Sequence, residues 1–162
     1  TAFETVRTTA MLFMILAAAA MFGYVVTIMR LPNELVEAVI AMGASPMTFV
    51  IAVMVVIFIL GMFLETISII LITTPIIFPV MIELGINPIW YGILLMINLE
   101  LALITPPVGM NLFVIKGISQ APLEEIIRGI LPYVLLMMLG LLIVLVFPQM
   151  ATWLPGIAGF ER

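Results

Sequence analysis

Two adjacent prolines interrupt a long apolar segment of this chain. Thr105, Pro106 and Pro107 lie between residues 90–98 and residues 112–115, and both flanks have the composition of a membrane helix. Proline has no backbone N–H and its ring clashes with the preceding turn, so we expect the helix to open here. In hydrocarbon, a peptide group without a hydrogen bond costs several kcal/mol. The break is therefore predicted to lie inside the protein or against a polar cavity.

The composition is that of a membrane protein. Of the 162 residues, 65% are hydrophobic and 9% are charged, whereas about 25% of the residues in an average soluble domain are charged. The apolar stretches are long and continuous, unlike the alternating segments of about ten residues that form transmembrane barrels. The sequence therefore predicts an all-α integral membrane fold, with Trp90 and Tyr91 in the aromatic belt at the membrane surface.

The composition also excludes several functions. The chain has no cysteine and no histidine, which removes thiol nucleophiles, disulfides, histidine-based metal sites and catalytic triads. Its net charge of −4 excludes a nucleic-acid-binding role, which would need a basic face. No nucleophile or metal motif accompanies the carboxylates at membrane depth, so an enzyme is not predicted.

The apolar segments predict a single membrane domain over residues 1–162. The chain starts at Thr1 and enters an apolar segment at once. That segment is longer than the core of about 7–15 residues in a signal peptide, so we expect the C-terminal piece of a longer membrane protein. Within the domain we predict a span at 8–29, an interfacial helix at 31–44, a re-entrant hairpin at 46–82, a broken span at 88–116 and a final span at 129–147.

The segment 46–82 has two interpretations. It carries Gly61 and Glu65 at its middle and has no polar loop there. In one interpretation it forms two full spans joined by a tight turn at Glu65. In the other it is a re-entrant hairpin whose tip, residues 61–66, stops inside the membrane. Length does not separate the two, but the absence of lysine and arginine from the tip favours the re-entrant hairpin.

Four polar residues lie at membrane depth near the tip or the break. A carboxylate in the bilayer costs about 2.5–3.5 kcal/mol on insertion scales, so Glu65 is expected to face protein or water. It is either a functional residue or a turn residue that reaches the headgroups. Glu100 either accepts freed N–H groups or couples to an ion or proton. Asn98 and Asn111 either bond to the open backbone or contact a substrate.

The break itself exposes oxygen ligands. Opening a helix at Pro106 and Pro107 frees carbonyls about four residues earlier, including those of Ala102 and Leu103. Backbone carbonyls, together with hydroxyls such as that of Thr105, hold hard cations such as Na⁺ without a carboxylate. Discontinuous helices of this kind bind ions and substrates at mid-membrane in secondary transporters. The residues thus predict a secondary transporter.

Several motifs in a fixed order carry a family resemblance. Together they resemble the C-terminal part of the large membrane subunit of tripartite ATP-independent periplasmic (TRAP) transporters, over nearly the whole chain from about residue 8 to the Trp153-Leu-Pro155 tail. The motifs are Gly61-Met-Phe-Leu-Glu65, Thr74-Pro-Ile-Ile-Phe-Pro79, Leu84-Gly-Ile-Asn-Pro88, Tyr91-Gly92, Asn98-Leu-Glu100 and Thr105-Pro-Pro-Val-Gly109.

The resemblance implies a fold and a function. It implies the second of two inverted repeats of an elevator-type transporter of the ion-transporter superfamily, in the inner membrane of a bacterium. Such systems use a Na⁺ gradient to import organic acids such as C4-dicarboxylates or sialic acid. A periplasmic binding protein delivers the substrate, and a small membrane subunit supports the large one. No organic cofactor is implied.

The resemblance also implies site residues. A coupling Na⁺ would be held by the backbone carbonyls of Gly61, Ala102, Thr105 and Val108, although position 102 is usually glycine in the family. A H⁺-coupled carrier that uses Glu65 or Glu100, and a membrane scaffold that transports nothing, remain as alternatives. Residues expected to contact substrate or support the site are Glu65, Thr66, Asn98, Glu100, Gly109 and Asn111.

Overall fold

All regular secondary structure in the described part of the chain is α-helical. The computed structural model describes residues 2–43, 45–106 and 109–158. Within these ranges the helices are α1 (Ala2–Ile28), α2 (Leu31–Ala41), α3 (Pro46–Gly61), α4 (Thr66–Glu83), α5 (Pro88–Ile104), α6 (Met110–Ser119), α7 (Leu123–Val146) and α8 (Gln149–Ile157).

Three of the described helices, α1, α4 and α7, are long and apolar enough to cross a membrane. The shortest of them, α4, has 18 residues and so measures about 27 Å at 1.5 Å per residue. Most side chains of α1 and α7 lie on the surface of the chain, although these helices are strongly apolar. Such helices are stable when lipid or other protein covers them. The predicted all-α integral membrane class is confirmed.

The first and last of these helices extend beyond the apolar segments that predict spans. Helix α1 begins at Ala2, before Arg7, and α7 begins at Leu123, before Arg128. Hydropathy marks where a segment enters hydrocarbon, whereas a helix ends where its backbone hydrogen bonds end. Arginine is a good helix former, so neither arginine interrupts its helix.

Helix α5 lies at the centre of the fold. It contacts α3, α4, α6, α7 and α8, and its buried residues recur at spacings of three and four, which places them along one broad face. The buried stripe comprises Trp90, Tyr91, Leu94, Leu95, Asn98, Leu99, Leu101 and Ala102.

Helices α3 and α4 form a hairpin that packs on α5. Ser45 is the N-cap of α3, because its side chain accepts a hydrogen bond from the backbone N–H of Thr48 at 3.2 Å. Residues 62–65 form the turn, in which the N–H of Leu64 donates to the carbonyl of Leu60 at 2.9 Å. The hairpin thus presents its tip, with Gly61 at its start, to the C-terminal half of α5.

Trp90 and Tyr91 are buried between helices, so the prediction that they form an interfacial belt misses their role in packing. Trp90 is 7% exposed, and its indole N–H donates to the carbonyl of Val144 in α7 at 2.7 Å. The last four carbonyls of a helix lack intrahelical donors, and Val144 belongs to that group because α7 ends at Val146. The indole therefore supplies a hydrogen bond to a carbonyl that the end of α7 leaves open, and it joins α7 to α5.

Candidate functional site

Helix α5 ends at Ile104 and α6 begins at Met110, so the helix is interrupted at the prolines. The backbone of Thr105 is extended, with φ −95° and ψ 130°, as expected for a residue that precedes proline. Its N–H donates to the carbonyl of Ala102 at 3.2 Å, and its hydroxyl donates to the carbonyl of Leu101 at 2.6 Å. Thr105 thus satisfies two of the carbonyls that the end of α5 leaves open.

The carbonyl of Leu103 receives no such bond from its own helix. The residues three and four positions ahead of it are Pro106 and Pro107, and neither carries an N–H. This carbonyl is among those that the prolines are predicted to free, but it is not among the four predicted Na⁺ ligands. The signal for it is the pair of prolines, which removes both possible helical donors.

Gly109 lies close to the open end of α5. Its φ is +49°, in the left-handed region that favours glycine. A β-carbon added there would lie 2.9 Å from the carbonyl oxygen of Thr105 and 3.2 Å from that of Leu103. The two oxygens therefore lie beside the same α-carbon, and any side chain at position 109 would displace them.

The hairpin tip and the end of α5 meet at two small residues. Gly61 and Ala102 are both buried, and Ala102 is 0% exposed. A β-carbon added to Gly61 would lie 2.7 Å from the β-carbon of Ala102, a distance that real contacts do not reach. The structure thus places Gly61 against Ala102, and both belong to the four residues whose carbonyls are predicted to hold Na⁺. Thr105 follows three residues after Ala102. The fourth, Val108, lies outside the described residues.

Two further polar residues of the tip, Glu65 and Thr66, lie at the N-terminus of α4. A carboxylate oxygen of Glu65 accepts hydrogen bonds from both the N–H and the hydroxyl of Ser68, each at 3.2 Å. Glu65 is therefore the N-cap of α4 and is exposed. The buried hydroxyl oxygen of Thr66 has no hydrogen-bond partner among the described residues. A buried hydroxyl without a partner costs about 1–3 kcal/mol, which is consistent with a ligand that the chain alone does not supply.

Three further predicted site residues have different surroundings. Asn98 is buried, and its amide donates to the carbonyl of Met54 in α3 at 2.9 Å. It therefore bonds to a neighbouring helix and not to the open backbone. Glu100 is exposed on α5, and Asn111 is half-buried in the first turn of α6. The position of Asn98 follows from the period of the buried stripe on α5, which sequence reasoning did not apply to it.

The oxygen atoms that the described residues bring to this region belong to backbone carbonyls and to a hydroxyl. Within residues 2–43, 45–106 and 109–158, no group of three or more acidic, histidine or cysteine side chains could hold a metal ion. The oxygens near the break are those of Ala102, Leu103 and Thr105. Carbonyl oxygens suit Na⁺ because they replace part of its hydration shell without adding a full charge.

Comparison with known proteins gives the chain a family. Residues 1–150 match the family model described as the tripartite ATP-independent periplasmic transporter, DctM component. A C4-dicarboxylate TRAP transporter large permease protein of Pseudomonas aeruginosa is 41% identical over 158 residues, which cover 98% of this chain and 37% of that protein. Its counterpart in Vibrio cholerae is 38% identical over 155 residues, which cover 96% of this chain and 34% of that protein.

A relative with another substrate is similar over the same part. The sialic acid TRAP transporter large permease protein of Vibrio cholerae is 31% identical over 152 residues, or 94% of this chain and 36% of that protein. The chain therefore spans about a third of the length of the curated relatives that it matches. These relatives are transport permeases and not enzymes.

Proposed function

The chain belongs to the DctM-component family of tripartite ATP-independent periplasmic transporters, and from this membership we propose that it forms part of a Na⁺-coupled importer of an organic acid. The relatives named above transport C4-dicarboxylates and sialic acid, and a relative from Oleidesulfovibrio alaskensis transports isethionate. The substrates named for these relatives are all anions. An organic anion is therefore the substrate class that we propose for the complete permease.

One observation carries this proposal: the hairpin tip at Gly61 rests directly on Ala102, at the point where the prolines open the helix. A cation bound there by backbone carbonyls would touch both elements at once. We assign it to the carbonyls of Gly61, Ala102, Thr105 and Val108. The carbonyl of Leu103, which has no helical donor, is an additional oxygen within this region.

The bound Na⁺ would prepare an adjoining site for the anion. Bridging the tip and the break fixes the first turns of α4 and α6, whose N–H groups carry the positive end of the helix dipole. The N-terminus of α6 has no side-chain cap, so N–H groups of its first turn could donate hydrogen bonds to a carboxylate. Residues that would contribute to this site or support it are Glu65, Thr66, Asn98, Glu100, Thr105, Gly109 and Asn111.

This arrangement would couple the binding of the anion to the binding of Na⁺. The anion would bind well only when the tip and the break are held together, and by linkage it would raise the affinity for Na⁺ by the same factor. We further propose that the chain is the second repeat of an elevator-type fold in the bacterial inner membrane. Its partners would be a periplasmic substrate-binding protein and a small membrane subunit.

The test is uptake by the complete transporter in proteoliposomes. The full-length large subunit, its small subunit and its binding protein are reconstituted and supplied with C4-dicarboxylate or sialic acid under an inward Na⁺ gradient or an equal K⁺ gradient. We expect uptake with Na⁺ alone. Uptake that ignores Na⁺, follows a pH gradient and loses its pH dependence in Glu100→Gln would replace this mechanism by H⁺ coupling. No uptake of any organic acid would favour a scaffold.

A further inference from the structure

We infer that Asn98 is a positioning residue that holds the hairpin tip in register with the broken helix. It is 2% exposed and is the buried polar residue of the core within the described part of the chain. Its amide nitrogen donates to the carbonyl of Met54 at 2.9 Å and so joins α5 to α3. This inference rests on the proposed function, because it gives Asn98 a part in forming the Na⁺ site without contacting the ion.

The hydrogen bond between Asn98 and Met54 joins the same two helix faces, of α5 and α3, that meet at Ala102 and Gly61. Asn98 precedes Ala102 by four residues, about one helical turn, and Met54 precedes Gly61 by seven, about two turns. Residues at these spacings share one side of a helix. The two helices therefore run in the same direction along this seam, with a hydrogen bond at one point and the Gly61–Ala102 contact about 6 Å further along α5.

Apolar packing is incomplete beside Asn98. A cavity of about 250 Å³ opens there between α3, α5 and α7. Side chains that line a gap lose contacts on that side, so they constrain the register less than a close-packed seam would. A hydrogen bond of 2.9 Å is lost when its atoms separate beyond about 3.5 Å. Apart from Asn98, the side chains that line the cavity are apolar.

Removing the amide would not itself leave a buried group unsatisfied. The carbonyl of Met54 lies inside α3 and has a helical donor four residues ahead, at Phe58. Leucine has nearly the shape of asparagine but neither donates nor accepts. The variant Asn98→Leu therefore removes the hydrogen bond to Met54 and keeps a buried side chain of similar size. It tests the effect of the hydrogen bond on the register of the two helices separately from the effect of burial.

The experiment measures the Na⁺ concentration for half-maximal uptake by the complete transporter in proteoliposomes. We expect Asn98→Leu to raise it about threefold to eighteenfold, the range covered by one interhelical hydrogen bond in a membrane protein, when uptake is expressed per folded molecule. Asn98→Gln, which keeps the amide but moves it by one carbon, should give a smaller rise. The melting temperature can also be measured as a function of Na⁺ concentration. The Na⁺ concentration that gives half of the maximal rise in melting temperature should increase by the same factor.

The matched control is Thr73→Val. It removes a bond of the same kind, from the Thr73 hydroxyl to the carbonyl of Ile69 at 2.8 Å, but within a single helix. We expect the Na⁺ dependence of this variant to stay unchanged.

Three results would overturn the inference. If the unmodified transporter needs Na⁺ but Asn98→Leu and Asn98→Gln have the normal Na⁺ dependence, Asn98 does not set the register and the proposed function survives. If only the amount of folded protein falls, its role is structural. If uptake by the unmodified transporter ignores Na⁺, the proposed function and this inference both fail. Should Asn98→Leu not fold, Asn98→Gln decides.

Discussion

Two proline pairs in this chain have opposite effects on their helices. Pro75 and Pro79 lie inside α4, which continues without interruption to Glu83. Pro106 and Pro107 follow the end of α5, and the next helix begins at Met110. The residue type is the same and both pairs lie in apolar segments, so the outcome depends on spacing and on neighbours.

Spacing explains most of the difference. Prolines four residues apart each remove one N–H and leave the donors between them in place. Adjacent prolines remove two successive N–H groups and restrict two successive residues, Thr105 and Pro106, to extended backbone. Neighbours supply the rest, because the ring of Pro75 packs on Gly23 of α1, where an added β-carbon would lie 3.2 Å away. A membrane helix thus keeps a proline when a neighbouring helix fits around it.

The largest expected effect is at Gly109, on which the geometry of the break depends. Gly109→Leu forces a side chain into a left-handed backbone, at about 1–2 kcal/mol, and into the space beside the carbonyls of Thr105 and Leu103. We expect the Na⁺ concentration for half-maximal uptake to rise at least tenfold, or uptake to be lost. Thr105→Ala, which removes the hydroxyl bonded to Leu101, should raise it by a smaller factor.

Gly140→Leu is the matched control, because Gly140 lies on α7 with open space around it. Its uptake should stay normal. Normal Na⁺ dependence in both Gly109→Leu and Thr105→Ala would contradict the assignment of the ion site to the break.

The next effect compares two glycines that pack near the proline pairs, Gly61 beside the end of α5 and Gly23 beside Pro75. Gly61→Ala would place a methyl group 2.7 Å from the β-carbon of Ala102, and overpacking of this kind costs about 1–3 kcal/mol. We expect a lower melting temperature and a higher Na⁺ concentration for half-maximal uptake. Gly23→Ala, at 3.2 Å from Pro75, should cost less and leave the Na⁺ dependence unchanged.

A second change separates steric from chemical causes at Gly61. Adding Ala102→Gly to Gly61→Ala moves the methyl group from α5 to the tip and should restore most of the stability and the Na⁺ dependence. If the double variant remains as impaired as the single one, the contact between tip and break is not the reason that position 61 needs glycine.

The smallest effect tests the proline pairs directly. Pro106→Ala supplies an N–H to the carbonyl of Ala102 or Leu103, and this N–H would compete with the proposed Na⁺ for that oxygen. One hydrogen bond of about 1 kcal/mol corresponds to a rise of about fivefold in the Na⁺ concentration for half-maximal uptake. Pro79→Ala supplies an N–H to the carbonyl of Pro75 within α4 and should change nothing. Equal responses in the two variants would mean that the break plays no special part in ion binding.

The sequence could predict the break because its cause is local. The loss of donors at Pro106 and Pro107 and the extended backbone at Thr105 follow from covalent structure alone, and the all-α membrane class follows from hydropathy. The partners of Asn98 and Trp90 could not be predicted, because the carbonyls of Met54 and Val144 lie 44 and 54 residues away. The steric role of Gly61 likewise depends on which residue of α5 the tip meets.

The predicted residues at the tip show the same limit. Glu65 is a predicted site residue because a carboxylate at membrane depth is costly. Its bonds to Ser68 also make it the N-cap of α4, a role that acidic side chains commonly take and that the local sequence indicates. The Thr66 hydroxyl has no partner among the described residues, and only tertiary structure shows that it is buried. Whether these residues contact a substrate stays a prediction.

The bond between Trp90 and Val144 gives the protein a built-in optical probe. The chain has two tryptophans; Trp90 is 7% exposed and Trp153 is 67% exposed. Replacing Trp153 by phenylalanine would leave one indole in this chain, clamped between the start of α5 and the end of α7. Its emission would then shift if these helices separate, so a change in this contact could be followed by fluorescence without attaching a label.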